Sequence, residues 1–198
     1  LTKDQAGLSV REKLAAVREK LAAQKAGAML VTRLDSVAWL LNLRASDIAY
    51  NPFALAYCLV EENTARLFIN AARVPEDVQA ALKAQGVELC GYEQARSALA
   101  AMEGPATVLY EPAGTSWAML RALEENPAVT LQEGEEPVQA LKGVKNETEI
   151  ARMKQAHRKD GAAMVRFEIE LRRRLAAGES WTEMEASDYL LGLRRAQE

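Results

Sequence analysis

Up to about residue 145, short apolar runs alternate with amphipathic segments. From Asn146 onward the strand signal stops altogether. This change of pattern constrains the fold more than any single residue. Strand-like runs alternating with helical ones predict an α/β sandwich around a mixed sheet, with helices on both faces. A purely helical stretch after it predicts a separate segment, because a helical pair cannot bury both of its apolar faces alone. The expected division is therefore 1–145 for the α/β domain and 146–198 for the helical segment.

The elements follow from local chemistry. Ser9 and Glu12 form a capping box ahead of an amphipathic helix whose stripe is Leu14, Val17 and Leu21, and Gly27 is read as its stop. Ala28 to Thr32 reads as a buried strand, and Asp35 as the cap of a short helix from Val37 to Leu41. Phe53–Val60 and Arg66–Ile69 read as a hairpin closed by Glu61-Glu62-Asn63-Thr64. Helices are expected from Pro75 to Gln85, from Tyr92 to Met102 and from Gly114-Thr115-Ser116 to Glu125. Strands are expected at Val87–Cys90, Thr107–Tyr110 and Val129–Gln132. Asn146 to Ala177 reads as one long helix stopped by Gly178. A second capping box, Ser180 with Glu183, is expected to start a last helix.

Charge and composition exclude several classes. With 25 basic and 28 acidic residues there is no basic field for nucleic acid and no polybasic strip for a membrane. No apolar run approaches the roughly 18 residues that cross a bilayer, and no signal peptide precedes the first helix. Cys58 and Cys90 lie in strand-like runs and read as buried free thiols, which with the rest points to a cytosolic protein. A single histidine, and no Cys-x-x-Cys, leave little for a transition-metal site. Glycine-rich phosphate motifs are absent, so no nucleotide site is expected. Both ends read as cut: the chain starts at Leu1, and a helical pattern runs to Glu198 without a stop.

Two residues stand out as carriers of chemistry. Arg44 shares a polar loop with Ser46, Asp47 and Asn51 between two apolar walls. Its planar fork suits a peptide carboxylate or carbonyl, but by the residues alone an ion pair with Asp47 or Asp35 that staples the loop is the favoured reading. His157 lies on the apolar stripe Ile150, Met153, Met164, Leu171 and Leu175. By spacing alone it reads as a core histidine. Trp39 and Trp117 read as core residues, and Arg172-Arg173-Arg174 as a solvated face.

The stretch Asp35 to Tyr57 adds a family signal. Asp35, Ala38, Trp39, Leu40, Leu41, Asn42, Arg44, Asp47, Asn51 and Pro52 fall in register with the pattern D-x-x-A-W-L-L-N-x-R-G-x-D-x-x-x-N-P. This resembles the opening of the middle domain of three-domain Xaa-Pro aminopeptidases (aminopeptidase P). Ala45 departs from the pattern, standing where the family has glycine; a left-handed glycine there would make alanine cost about 1–2 kcal/mol. Leu141-Lys142-x-x-Lys145-Asn146-Glu147-x-Glu149-Ile150, then Ala156-His157-x-x-Asp160-Gly161, resemble the family's entry into its "pita-bread" catalytic domain.

The resemblance implies a creatinase/prolidase N-terminal-type domain followed by the first helices of a truncated metallopeptidase domain. It implies that Arg44 and His157 contact bound peptide, with no catalytic residue and no metal ligand in this chain. It further implies a longer enzyme, with two manganese ions, that removes a residue preceding proline from a peptide. This piece would be inactive alone. The alternatives are a non-catalytic interaction module of the same fold and part of a prolidase or creatinase-type enzyme. Apart from the resemblance, the apolar stripes of the helical segment are expected either to fold back on the α/β domain or to pair with a second copy, and a symmetric homodimer of this chain is the expectation.

Overall fold

A computed structural model describes residues 1–104 and 106–197. It divides into two compact units, Leu1–Lys145 and Asn146–Glu198.

In the first unit a short helix α1 (Lys3–Ala6) precedes α2 (Val10–Ala23). The predicted box caps α2: the Ser9 side chain accepts from Glu12 N, and the Glu12 carboxylate accepts from Ser9 N at 2.7 Å. Leu14, Val17 and Leu21 are buried as expected. The helix ends earlier than Gly27. Lys25 takes the left-handed conformation at φ 58°, and Gly27 instead donates its N–H to Thr107 O at 2.9 Å. Strand β1 (Ala28–Val31) and helix α3 (Leu34–Leu40) follow. Asp35 does not cap α3. Arg33 occupies the cap, and Asp35 sits in the first turn and pairs with Lys142.

Strands β2 (Ala56–Glu61) and β3 (Ala65–Ile69) form the expected hairpin, with Glu61 N bonded to Thr64 O. Then come α4 (Glu76–Lys83), β4 (Val87–Gly91), α5 (Ala95–Ala100), β5 (Ala106–Tyr110), α6 (Trp117–Glu124), β6 (Val129–Glu133) and α7 (Pro137–Gly143). The residues from Tyr92 to Gln94, expected to be α-helical, form a 3₁₀ turn before α5. Helix α7, with Pro137 at its start, has no counterpart in the sequence expectation. Of the Gly104-Pro105 break, Pro105 lies outside the described residues.

The sheet runs in the order β4-β3-β2-β1-β5-β6. β2 is antiparallel to β1 and β3, while the β1–β5, β5–β6 and β3–β4 pairs are parallel. β1 lies between β2 and β5 and is buried along its whole length, which explains its uninterrupted apolar run. Alternation along the strands divides the core in two. Met29, Val31, Cys58, Val60 and Leu67 pack with α2, α3 and α4 on one face. Leu30, Leu59, Phe68 and Val108 pack with α5 and α6 on the other. The mixed sheet with helices on both faces is thus as predicted.

Two expectations about the core fail. Trp117 is 70 % exposed. It lies five residues before Ala122, about 140° round the helix from that buried position. Cys90 is half-buried, and Cys58 is fully enclosed, its thiol pushed up to about 12 by burial.

The second unit is α8 (Glu147–Ala176) with α9 (Glu183–Arg195). Asn146 and Glu149 box α8, and Gly178 turns the chain with φ 70°. The box on α9 is Thr182 with Glu185, not Ser180 with Glu183: the same S/T-x-x-E spacing recurs two residues on. Phe167 lies tilted against Trp181 and Trp181 meets Tyr189 edge to face where the helices meet, Arg174 lies 4.4 Å above the Trp181 ring, and Arg194 pairs with Asp160 at 2.7 Å. Ile150, Met153, Met164 and Leu175 remain exposed.

Candidate functional site

The arginine loop joins α3 to β2, and its anchor is a buried lysine. Lys13, 1 % exposed, donates to Trp39 O and to Asn42 Oδ1, both at 2.8 Å, with its ammonium 4.1 Å from the centre of the Trp39 ring. Asn42 takes φ 51° and ends α3, and its amide donates to Leu8 O at 2.9 Å. A cation at a helix C-terminus meets the partial negative charge of the last carbonyls.

Arg44 adds to the same end. Its Nη1 donates to Ala38 O at 2.8 Å and to Leu43 O at 2.7 Å. Both acids considered as its partners are engaged elsewhere: Asp35 with Lys142, and Asp47 with Arg73 at 2.8 Å. The staple at Arg44 is therefore a helix-end cap as well as a loop contact. Ala45 is not in the left-handed region. The positive φ values of this loop fall on Asn42 and Tyr50, so the alanine carries none of the expected strain.

Asp47 sets the path of the loop. Its Oδ2 accepts from Leu55 N at 2.9 Å, which takes that N–H out of the sheet and starts β2 at Ala56 rather than Phe53. Register explains its meeting with Arg73. Ala56 pairs with Ile69, so the start of β2 and the 3₁₀ turn Ala71–Arg73 after β3 share one end of the sheet. At the loop tip a turn closes from Ile48 O to Asn51 N, with Tyr50 at φ 63° and 94 % exposed.

A cleft of about 270 Å³ opens beside this loop, lined by Arg44, Asp47, Asn70 and Arg73 and by the apolar Ile69 and Val74. A second hollow shares Asp47, Asn70 and Arg73 and adds Leu55 and Tyr92. Tyr92 hydrogen-bonds and stacks on Tyr57, and that bond with burial pushes its phenol up to about 12. The cleft around Arg44 is built from the first unit alone. His157 belongs to the second, where it is solvent-exposed on α8 rather than enclosed in a core.

A second polar cluster lies at the ends of β1, β5 and β6. Arg33 pairs with Glu111 at 2.8 Å, and Thr32 donates to Gly114 O. A side chain on Gly114 would collide with the Arg33 guanidinium. Glu136 is 95 % buried by its 5 % exposure, and its Oε1 has no partner. Burial raises its carboxyl, against a hydrogen bond from Ser36 that lowers it. For Asp35, burial works upward but Lys142 and Gln139 bring it below the usual range.

Sequence reasoning missed Lys13, Asn42 as the left-handed residue, Arg73 and Glu136. For Lys13 a signal existed: it lies on the Val10, Leu14, Val17 stripe, where an unpaired ammonium would be costly. Arg73 had none, because its meeting with Asp47 depends on strand register.

Among the described residues no group of three or more His, Cys, Asp or Glu side chains is placed to hold a metal ion. No described helix is long and apolar enough to cross a membrane.

A two-faced mixed sheet with this arginine-bearing loop defines a creatinase/prolidase-type α/β domain, and residues 1–149 match the Creatinase/Prolidase N-terminal domain family, to which the chain belongs. It is also homologous to Xaa-Pro aminopeptidases. A probable Xaa-Pro aminopeptidase P from Sordaria macrospora is 33 % identical over 202 residues, covering 97 % of this chain and 33 % of the relative. The Xaa-Pro aminopeptidase app-1 of Caenorhabditis elegans is 34 % identical over 200 residues, 97 % of this chain and 32 % of the relative. The crystal structure of an X-prolyl aminopeptidase from C. elegans, described as a cytosolic enzyme with a di-nuclear active site, superposes with a TM-score of 0.88 at 33 % identity, covering 100 % of this chain and 33 % of that one. The prolidase from Pyrococcus horikoshii shares the fold, with a TM-score of 0.67 at 17 % identity over 93 % of this chain and 48 % of that one. The chain spans about a third of the length of the curated relatives it matches.

Proposed function

We propose that this chain works as part of a metal-dependent Xaa-Pro aminopeptidase. In this reading it contributes one wall of the peptide cleft and the helices that open the catalytic domain, 146–198. The observation that carries the reading is the arginine loop in its structural setting. Arg44 is exposed at a cleft, its loop is fixed by Lys13, Asn42 and Asp47, and the chain aligns over nearly its whole length with Xaa-Pro aminopeptidases. A forked cation on a fixed loop can hold a peptide carbonyl or carboxylate with little ordering cost at the moment of binding.

Arg44 and His157 are the residues assigned to bound peptide. His157, exposed on α8, can donate to a peptide carbonyl from one ring nitrogen. The chain supplies no catalytic group and no metal ligand, so alone it is inactive. Two manganese ions and a cytosolic location belong to the same reading of the longer enzyme, whereas the homodimer is the expectation for this chain by itself.

The deciding experiment is peptide hydrolysis by the longer enzyme on Xaa-Pro-Xaa against Xaa-Ala-Xaa tripeptides. Strong preference for proline in the second position is expected. Arg44→Ala should lower kcat/KM by about ten- to a hundredfold. His157→Ala should lower it by up to two or three orders of magnitude without releasing metal. Equal cleavage of both peptides would overturn the assignment of activity. Loss of metal in the His157 variant would overturn its role.

A further inference from the structure

Arg73 lies outside the stretch that carries the family resemblance, yet it is the residue that Asp47 organises. Asp47 is nearly enclosed, at 12 % exposure, and both of its oxygens are engaged: one by Arg73, the other by Leu55 N. Arg73 is 58 % exposed, and it meets Asp47 through Nη2. A guanidinium has five donors, so this pairing orients the fork without exhausting it. Beside it, Asn70 accepts from Ala72 N at 3.2 Å through Oδ1, which leaves its NH₂ as a donor. Both residues line the 270 Å³ cleft, whose other walls include the buried Ile69 and Val74.

We propose that this cleft binds the free C-terminal carboxylate of a short peptide, with Arg73 and Asn70 on the carboxylate and the apolar wall on the last side chain. The inference rests on the peptidase reading above and names where the far end of its substrate goes. An aminopeptidase holds its substrate by the amino end, so the carboxyl end lies outward from the reacting bond. The size suits an end only: drug-sized ligands fill roughly 300–1,000 Å³. A terminal carboxylate is the anion that the peptidase reading supplies here, and inorganic phosphate, which the guanidinium could also hold, is the competitor to separate from it.

Nuclear magnetic resonance titration of this 198-residue chain tests it. The probes are Ala-Pro-Leu with a free carboxylate, the same peptide as its C-terminal amide, and inorganic phosphate. The free acid is expected to shift backbone resonances of residues 43–47 and 69–78, with the amide binding about tenfold more weakly. Arg73→Met should abolish the difference between acid and amide. Arg73→Lys, which keeps the charge but not the fork, should retain part of it. Equal binding of acid and amide, shifts elsewhere, no shifts at millimolar peptide, or phosphate binding as tightly as the acid would each overturn the proposal. The comparison on the unmodified chain stands even if a variant fails to fold. Acid-selective binding here, with no proline preference in the longer enzyme, would leave this cleft standing and remove the aminopeptidase reading. The reverse pattern would do the opposite.

Discussion

Lys13 Nζ donates to Asn42 Oδ1 at 2.8 Å, so a buried ammonium on α2 holds the residue whose left-handed backbone ends α3. The same nitrogen holds Trp39 O. The entry to the arginine loop is thus set by a contact between two helices, before any residue of the loop acts. Lys13→Met keeps most of the volume and strands two acceptors. The expected loss is about 1–3 kcal/mol of stability. Lys13→Ala should cost more, because it also leaves a cavity. Urea denaturation of both variants measures this, and an unchanged midpoint for Lys13→Met would show that the acceptors find other donors.

Arg44 has two jobs with separable readouts. Its bonds to Ala38 O and Leu43 O predict that Arg44→Ala lowers the stability of this chain by about 1 kcal/mol. Its assignment to peptide predicts a kinetic loss in the longer enzyme beyond what that destabilisation produces. Thermal melts and tripeptide kinetics on the same variant separate them. A stability loss with unchanged kinetics would leave only the cap.

Tyr50 carries backbone strain with almost no burial in return, at φ 63° and 94 % exposure. A bulky residue in the left-handed region costs about 1–2 kcal/mol, and glycine does not meet that cost. Tyr50→Gly should therefore stabilise the chain by roughly 0.5–1 kcal/mol, after the larger unfolded-state freedom of glycine is subtracted. Destabilisation in a denaturant titration would mean that the Tyr50 ring makes a contact that compensates the strain.

Glu136 predicts a pH dependence. Burial raises its folded pKa above the ordinary 4.5, against hydrogen bonding from Ser36 and attraction from Arg33, while Glu111 and Asp35 push it further up. The folded state therefore binds the proton more tightly than the unfolded one. The stabilisation is complete below the ordinary value and is lost as pH rises through the folded pKa. Asp35, lowered in the fold, has the opposite sign, with stability lost as pH falls, so the comparison must be against a variant. Glu136→Gln should be more stable than the parent at neutral pH, with the gap closing toward acid. Denaturation at a series of pH values checks it, and a gap independent of pH would assign the effect to packing.

The helical unit predicts association. Ile150, Met153, Met164 and Leu175 of α8 and Met184 of α9 are exposed, and burying one such side chain is worth about 1.5–3 kcal/mol. A symmetric dimer of this chain through these faces is the expected outcome at micromolar concentration. Sedimentation equilibrium decides it, and a monomer across that range would refute the pairing.

Local patterns determined much of this protein. The capping box at Ser9, the hairpin turn at Glu61–Thr64, the apolar run of β1, the glycine turn at Gly178 and the shift to helix after Asn146 all rest on neighbours within a few residues. Physical chemistry at that range is written in the order of residues. Arg44 was visible as a cation on a loop, but its assignment to peptide came from the family pattern around it, not from local signals. Contacts over long separations were decided by tertiary structure alone. Asp47 takes Arg73 rather than Arg44 because the register Ala56 to Ile69 brings two loops to one end of the sheet. Asp35 leaves the helix cap for Lys142, more than a hundred residues away, because α7 packs against α3. Trp117 is exposed because the face that α6 buries is set by the sheet beneath it, not by the hydrophobicity of the residue. An ionic or apolar side chain states what it can satisfy; only the packed chain states which partner is within 3 Å or so of it.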